Sequence, residues 1–465
     1  MKKIVFICLT LLATACTDGF DELNTNSNQA ETVNASLLLP TVIIDYADLM
    51  VNQNYSFGNT IGQYATNYEF NDIDIFNWTS DDRFWPIYSI LQDVKDIELV
   101  AQSTGHVNYE AIAIILESFG ISILTDVYGD VPYREATQAI DGIFTPKYDE
   151  QQAIYQELLA ELARANELID VDGTVNGDIL YGGDMMKWKK FANSLRLRLL
   201  LRSSKAQDNS AALQAIVNNP TQSPIFESNA DNADYQYSGD LPDLSPLSTG
   251  RGRAYDYYLG IPTTHIIDRL KANNDPRLEE WFDPKAGTTE YLGTAPGQSI
   301  GDVGRPDEFS SKAAAYFDVA NKISGIFMTY SEVSFILAEA AESGLITGDA
   351  KTYYDAGVSA SFDQWGVTMP ADYLTSTAPY DANTEVLAIQ KWLSLYHNSL
   401  QGWLNWKRTG LPSFIAAGPG TVNDGKFPVR LMYPALEQSV NNQNYTAAAA
   451  NIQGDNINSR VWWDK

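Results

Sequence analysis

Apolar residues recur at helical spacing over much of the chain. Ser36 to Val51 is the first long stretch of this kind. Asp81 to Ala101 is the second, with Phe84, Ile87, Tyr88, Leu91 and Val94 on one stripe. Asn108 to Leu124 predicts a third helix, ended by Asp126-Val127-Tyr128-Gly129-Asp130-Val131-Pro132. Gly there supplies a left-handed cap, and Pro lacks the donor that a further turn needs. Asp149 to Ile169 carries Ile154, Leu158, Leu162, Ala165 and Ile169. Trp188 to Arg202 carries Trp188, Phe191, Ala192, Leu195 and Leu199. Both follow the helical period and not the strand period. Trp188 and Leu195 share one helix face and are expected in the core. Arg196, Arg198 and Arg202 on the same segment read as a solvated or ion-paired face. Tyr330–Glu342, Ala350–Trp365 and Glu385–Leu400 continue the pattern, with Gly344 placed to cap the first of them.

Two segments break the periodicity. Asn52–Ser80 is loop-like and carries Tyr55, Tyr64, Tyr68, Phe70, Phe76 and Trp78. From Thr221 to about Lys322, Pro, Gly, Ser, Asp and Tyr dominate, and only Thr263 to Ala272 reads as a clean helix. An irregular stretch of that length is expected to be functional or to fold in its own way. The last 60 or so residues are expected to be irregular as well. Ala340, Gly344, Ala350, Tyr354 and Ala360 have the texture of a tetratricopeptide helix pair, in which small residues let two helices approach.

The N-terminus changes the picture most. Lys2 and Lys3 precede an apolar run from Ile4 to Leu12, then Ala13, Thr14, Ala15 and Cys16. A basic start, a short apolar run and small residues make a secretory signal, and the run is too short to span a bilayer. Leu12-Ala13-Thr14-Ala15-Cys16 resembles the lipobox of bacterial lipoproteins. That resemblance implies cleavage before Cys16 and acylation of its thiol and new amino group, enough chains for stable anchoring. The expected organisation is a signal over 1–15, a lipidated start and polar tether over 16–35, and one domain over 36–465 with the insertion at about 221–322. No second long apolar run is read in the sequence, so the body of the protein is not expected to span a membrane.

The net charge of −28 argues against nucleic acid or an anionic lipid surface as partner. Cys8 lies in the signal and Cys16 would carry lipid, so the mature chain is expected to lack a disulfide. His106, His265 and His397 form no zinc spacing, and no Gly-x-Ser-x-Gly elbow occurs. Gly420 to Lys426 has Walker spacing, but Phe427 replaces the Ser or Thr, so a Gly-rich turn is the better reading. Asp172, Asn176, Gly177 and Asp178 hint at a calcium loop, but Gly183 stands where the bidentate Glu belongs. No cofactor or metal is expected. With 59 Asp and Glu, a glycosidase pair is not identifiable from sequence.

Several segments together resemble one family. Trp188-Lys189-Lys190-Phe191-Ala192-Asn193-Ser194-Leu195-Arg196-Leu197-Arg198 and Tyr128-Gly129-Asp130-Val131-Pro132-Tyr133 are similar to stretches of SusD/RagB-like outer-membrane lipoproteins. So are Ala338-Glu339-Ala340 before Gly344, Trp403-Leu404-Asn405-Trp406-Lys407-Arg408-Thr409-Gly410, and Phe427-Pro428-Val429-Arg430 with Tyr433-Pro434. The texture looks closest to the SusD-like, starch-binding-associated group. The resemblance implies a mainly α fold with four tetratricopeptide-like helix pairs and a loop-rich face. It implies a surface lipoprotein of Bacteroidota-type bacteria that lids a SusC-like TonB-dependent transporter and captures a nutrient, usually an oligosaccharide, without catalysis. Thr17-Asp18-Gly19-Phe20-Asp21-Glu22 resembles the acidic signal that sends such lipoproteins to the outer surface.

The expected ligand site is the face built from the Asn52–Ser80 loop and the Thr221–Lys322 insertion. Trp78, Tyr68, Tyr255, Tyr257, Tyr258 and Trp281 are its candidate platforms, with Asn71, Asp72 and Arg253 as polar partners. A sugar offers apolar ring faces and a belt of hydroxyls, so its site needs exposed aromatics beside hydrogen-bonding groups. Each of these rings could instead pack its loop down. A surface glycosidase or other hydrolase, a lid for peptides, and a pure tetratricopeptide scaffold are the competing readings.

Overall fold

The computed structural model describes residues 34–252 and 260–465. Cys16 and the rest of the N-terminal segment lie outside them, as do Arg253, Tyr255, Tyr257 and Tyr258. In chain order the longer helices are α1 (Ala35–Gln53), α2 (Ile87–Thr104), α3 (Val107–Tyr128), α4 (Gln151–Leu168), α5 (Met185–Arg202), α6 (Ser210–Asn218) and α7 (Thr264–Ala272). They continue with α8 (Tyr330–Glu342), α9 (Ala350–Gln364), α10 (Thr384–Ser394), α11 (Ser399–Thr409), α12 (Ala435–Val440) and α13 (Asn442–Asn451). Helices adjacent in sequence pair as α2/α3, α4/α5, α8/α9 and α10/α11, and α3 also packs on α4. The strands are short and form two-stranded antiparallel sheets.

α3 departs from the sequence expectation. It is long and apolar enough to cross a membrane, yet almost all of it is buried inside the protein. A helix apolar on every side needs neighbours on every side, and here α2, α4 and α5 supply them.

Two of the three arginines of α5, Arg198 and Arg202, are ion-paired but not solvated, while Arg196 is half-buried and donates to Asn193 Oδ1 at 2.9 Å. Arg198 is buried and reaches both carboxylate oxygens of Glu332 in α8 at 2.7 Å. Arg202 is buried against Asp126 of α3, whose carboxylate also accepts from Tyr155 and from Trp463 Nε1. These pairs tie three helices together through the core. Trp188 and Leu195 are fully buried, and Trp188 Nε1 donates to Asp178 at 2.8 Å. Asp178 also accepts from the backbone N–H groups of Leu180, Tyr181 and Gly183, so the suggested calcium loop is a carboxylate-closed turn.

The Gly129-Asp130-Val131-Pro132 turn and the Phe427–Pro434 segment lock onto each other. Arg430 donates to Tyr128 O at 3.1 and 2.9 Å, placing a cation on the orphan carbonyls at the α3 C-terminus. Tyr433 Oη donates to Asp130 O at 2.6 Å, and Trp403 Nε1 donates to Pro428 O at 3.0 Å. Three segments separated in sequence, around residues 128–132, 403 and 428–433, therefore build one junction.

Helix boundaries differ in three places. The Asp81–Ala101 segment becomes helical only at Ile87, because Pro86 sits where a helix starts. The Glu385–Leu400 segment splits into α10 and α11 at His397, whose φ is +65°. α6, α12 and α13 arise where no helix was expected.

Candidate ligand-binding face

The two irregular segments meet through one small sheet. β1 (Ala65–Asn67) pairs antiparallel with β2 (Gly260–Pro262), bringing the first loop against the insertion. Behind β1, Tyr64 stacks on Trp392 of α10 with ring centroids 4.3 Å apart. Trp392 Nε1 donates to Gly62 O at 2.8 Å, and Tyr64 Oη donates to Trp392 O at 2.7 Å. Beneath β2 the amine of Lys312 lies 3.9 Å from the Tyr55 ring centre. A Cβ on Gly260 would come within 2.6 Å of that amine, so a larger residue there would have to displace the end of the Lys312 side chain. Burial alone pushes the Lys312 ammonium down to about 7.

Asp74 holds the loop after β1. Its buried carboxylate accepts from Thr66 Oγ1 at 2.5 Å, from Asn67 N at 3.2 Å and from Asn67 Nδ2 at 3.0 Å. Burial raises it to about 6, and these hydrogen bonds pull against that rise.

Three loops are then stitched together, around residues 68–78, 294–303 and 416–425. Asn71 Nδ2 donates to Gln298 O at 3.2 Å. Val422 N donates to Ile75 O at 2.8 Å, and Gly420 N donates to Gly297 O at 2.7 Å. Each loop presents one exposed apolar side chain: Phe70 (80% exposed), Ile300 (75%) and Val422 (59%). Phe70 also has φ +54°, a conformation that costs a bulky residue energy and that a relaxed surface loop would avoid.

The residues chosen from sequence divide. Tyr68 is half-buried on this face. Asp72 is exposed and accepts from Asn77 Nδ2 at 2.8 Å. Asn71 is buried and acts as a tie between loops. Trp78 is half-buried among Phe57, Phe76 and Trp403, with Nε1 donating to Ile73 O at 3.1 Å, so at most one edge reaches solvent. Trp281 is corrected outright. It is fully buried, 4.7 Å from Tyr396 and 5.7 Å from Trp365 by ring centroids, and packs the insertion onto the helices.

Sequence reasoning passed over Phe70 among the loop aromatics. No signal in the sequence marks it, since Tyr68 two residues before and Ile73 three residues after give it partners at strand and helix spacing. A cavity of about 370 Å³ lies elsewhere, between α5, α8, α10 and α11. Of the charges that line it, Glu339 pairs with Arg408 and with Lys391, which hold its carboxyl down at about 2, while both carboxylate oxygens of Glu342 are buried without a hydrogen-bond partner. The loop face instead offers an apolar platform ringed by polar groups, the arrangement that sugar stacking needs.

Residues 27–434 match the SusD-like family described as starch-binding and associating with the outer membrane. Solved structures share the fold. A SusD homolog from Bacteroides fragilis superposes with a TM-score of 0.82 at 22% identity, over 93% of this chain and 100% of that one. A chitin-binding protein gives 0.78 at 28% identity, again over 93% and 100%. A chitin-binding SusD homolog from Flavobacterium johnsoniae gives 0.80 at 22% identity, over 93% and 98%. No curated protein matches the chain. The helix pairs, the interlocked motifs and the match over most of the chain agree, and the chain belongs to the SusD-like family of outer-membrane nutrient-binding proteins.

Proposed function

We propose that this protein is a lipid-anchored binding protein of the outer membrane that captures an oligosaccharide on its loop face. It passes the cargo to a SusC-like TonB-dependent transporter and does not cleave it. The observation that carries this reading is Phe70: exposed, held in a left-handed backbone, and mounted on loops fixed by Asp74 and by bonds to two other loops. A rigid exposed ring binds a sugar face without paying much ordering entropy. The family description and the chitin-binding relatives support a glycan as cargo.

The sequence supports the anchor. Cys16 is the acylated residue of the proposal, residues 1–15 the signal, 16–35 the tether and 36–465 the binding domain. Cys16→Ala should shift the protein out of the membrane fraction, and unchanged fractionation would overturn the anchor. For the cargo, the purified protein is titrated calorimetrically with starch and chitin oligosaccharides and with peptides, and the mixtures are then checked for products. Binding of an oligosaccharide without turnover is expected. Turnover would make it a hydrolase, and binding of peptides alone would make it a lid for other cargo. Co-purification from membranes tests the transporter.

A further inference from the structure

The loop that carries Val422 begins at a second platform. Phe414, half-buried, packs edgewise on Trp392 at 5.1 Å and lies tilted against His265 of α7 at 4.9 Å between ring centroids. The guanidinium of Arg269, one turn further along α7, lies 3.4 Å from the centre of the Phe414 ring. The platform is fixed to the loop face from both sides. Thr263, just before α7, donates through its backbone N–H to Tyr64 O at 3.0 Å, and Gln63 Nε2 donates to Ala416 O at 2.6 Å.

Arg269 differs from its fellows. Among the described arginines, all but Arg196 and Arg269 form an ion pair within 4 Å. Arg196 is turned into the protein, where its Nε is buried. Arg269 is half-buried and makes one hydrogen bond, from Nη1 to His265 O at 2.8 Å. Glu385 and Asp268 are near enough for their charges to act on Arg269, but neither forms an ion pair with it within 4 Å, and the Glu385 carboxylate accepts from Ser413 N and Oγ. A stacked, oriented guanidinium with free N–H groups is suited to a planar carboxylate. Burial and Arg269 keep His265 low, at about 4, so it is a neutral imidazole beside the cation at pH 7.

Resting on the glycan-binding reading above, the geometry points to a carboxylate-bearing sugar, a uronate, as the unit seated at His265, Arg269 and Phe414. The protein's net charge of −28 does not forbid this, because charges more than about 8 Å away are largely screened at physiological salt. The sugar ring lies along the Phe414 edge, and its carboxylate takes two N–H groups of Arg269.

The test is calorimetric titration of the full chain with an oligogalacturonate, a sulfated oligosaccharide and a neutral oligosaccharide of equal length. The oligogalacturonate should bind at least about tenfold tighter than the neutral one, and that margin should shrink as salt is raised. Arg269→Gln should abolish the margin while leaving neutral binding in place, and Arg269→Lys should keep part of it. Equal or tighter binding of the neutral sugar overturns the proposal and leaves the glycan reading standing. So does an unchanged margin in Arg269→Gln. Preference for the sulfated sugar replaces the uronate by a sulfate ester. Failure of all three sugars to bind overturns both readings.

Discussion

Gln63 and Ala416, 353 residues apart, exchange two hydrogen bonds: Gln63 Nε2 donates to Ala416 O at 2.6 Å, and Ala416 N donates to Gln63 Oε1 at 3.3 Å. Gln63 is buried and has φ +56°, so this amide is held in place from a costly backbone. It joins the loop before β1 to the loop that carries Phe414 and Val422. Gln63→Ala should cost about 1–3 kcal/mol, since it leaves Ala416 N and O without their partner. Hydrogen exchange should speed up locally over residues 411–425. Faster exchange spread evenly over the whole chain, with none concentrated there, would show that this bond does not hold the loop.

Leu195 is fully buried on the α5 face that carries Trp188. Leu195→Ala should lower unfolding stability by roughly 2–5 kcal/mol, from lost transfer energy and the cavity left behind. Lys189, half-buried on the same helix, should tolerate alanine. Equal effects in denaturant titrations of the two variants would contradict the assignment of the core face.

Glu117 gives a pH signature. It is half-buried, and burial followed by the charge on Glu98 pushes its carboxyl up to about 7. Its neighbours Glu98, Glu157 and Glu161 are paired with Lys95, Arg134 and Arg164 at 2.6, 2.6 and 2.7 Å, while Glu117 has no such partner. A carboxyl with a higher pKa folded than unfolded binds its proton more tightly in the folded state. Its contribution is full below about pH 4.5 and is lost as pH rises through about 7. Glu117→Gln should therefore gain stability over wild type at pH 8, by about 1–3 kcal/mol, and gain little at pH 4. A difference that does not change between the two pH values would contradict it.

The helical half of the protein is legible because its stripes carry the information locally. Tyr330–Glu342 is bounded as the pattern requires, and Gly344 caps it with φ +70°. The loop half is less legible. Trp281 looks like a surface platform among Glu, Asp and Pro, but Phe282–Asp283 pairs with Ser311–Lys312 and turns the indole inward. Arg198 and Arg202 look solvated because their partners, Glu332 and Asp126, lie 134 and 76 residues away. α13 escapes notice because Asn442–Asn451 is rich in Ala and Asn and buries only Ala448 fully. Phe70 needed its backbone and exposure, neither of which a sequence displays.

The central claim is that the loop face around Phe70 binds the glycan. Calorimetry on wild type, Phe70→Ala and Trp281→Ala, with whichever oligosaccharide binds wild type, tests it most directly. Phe70→Ala should leave the unfolding midpoint nearly unchanged, since the ring is exposed, and should weaken binding by about tenfold or more, the cost of losing a stacking platform. Trp281→Ala should do the opposite, losing about 3–5 kcal/mol of stability while any folded fraction binds normally. Wild-type affinity in Phe70→Ala would place the glycan elsewhere and contradict the account.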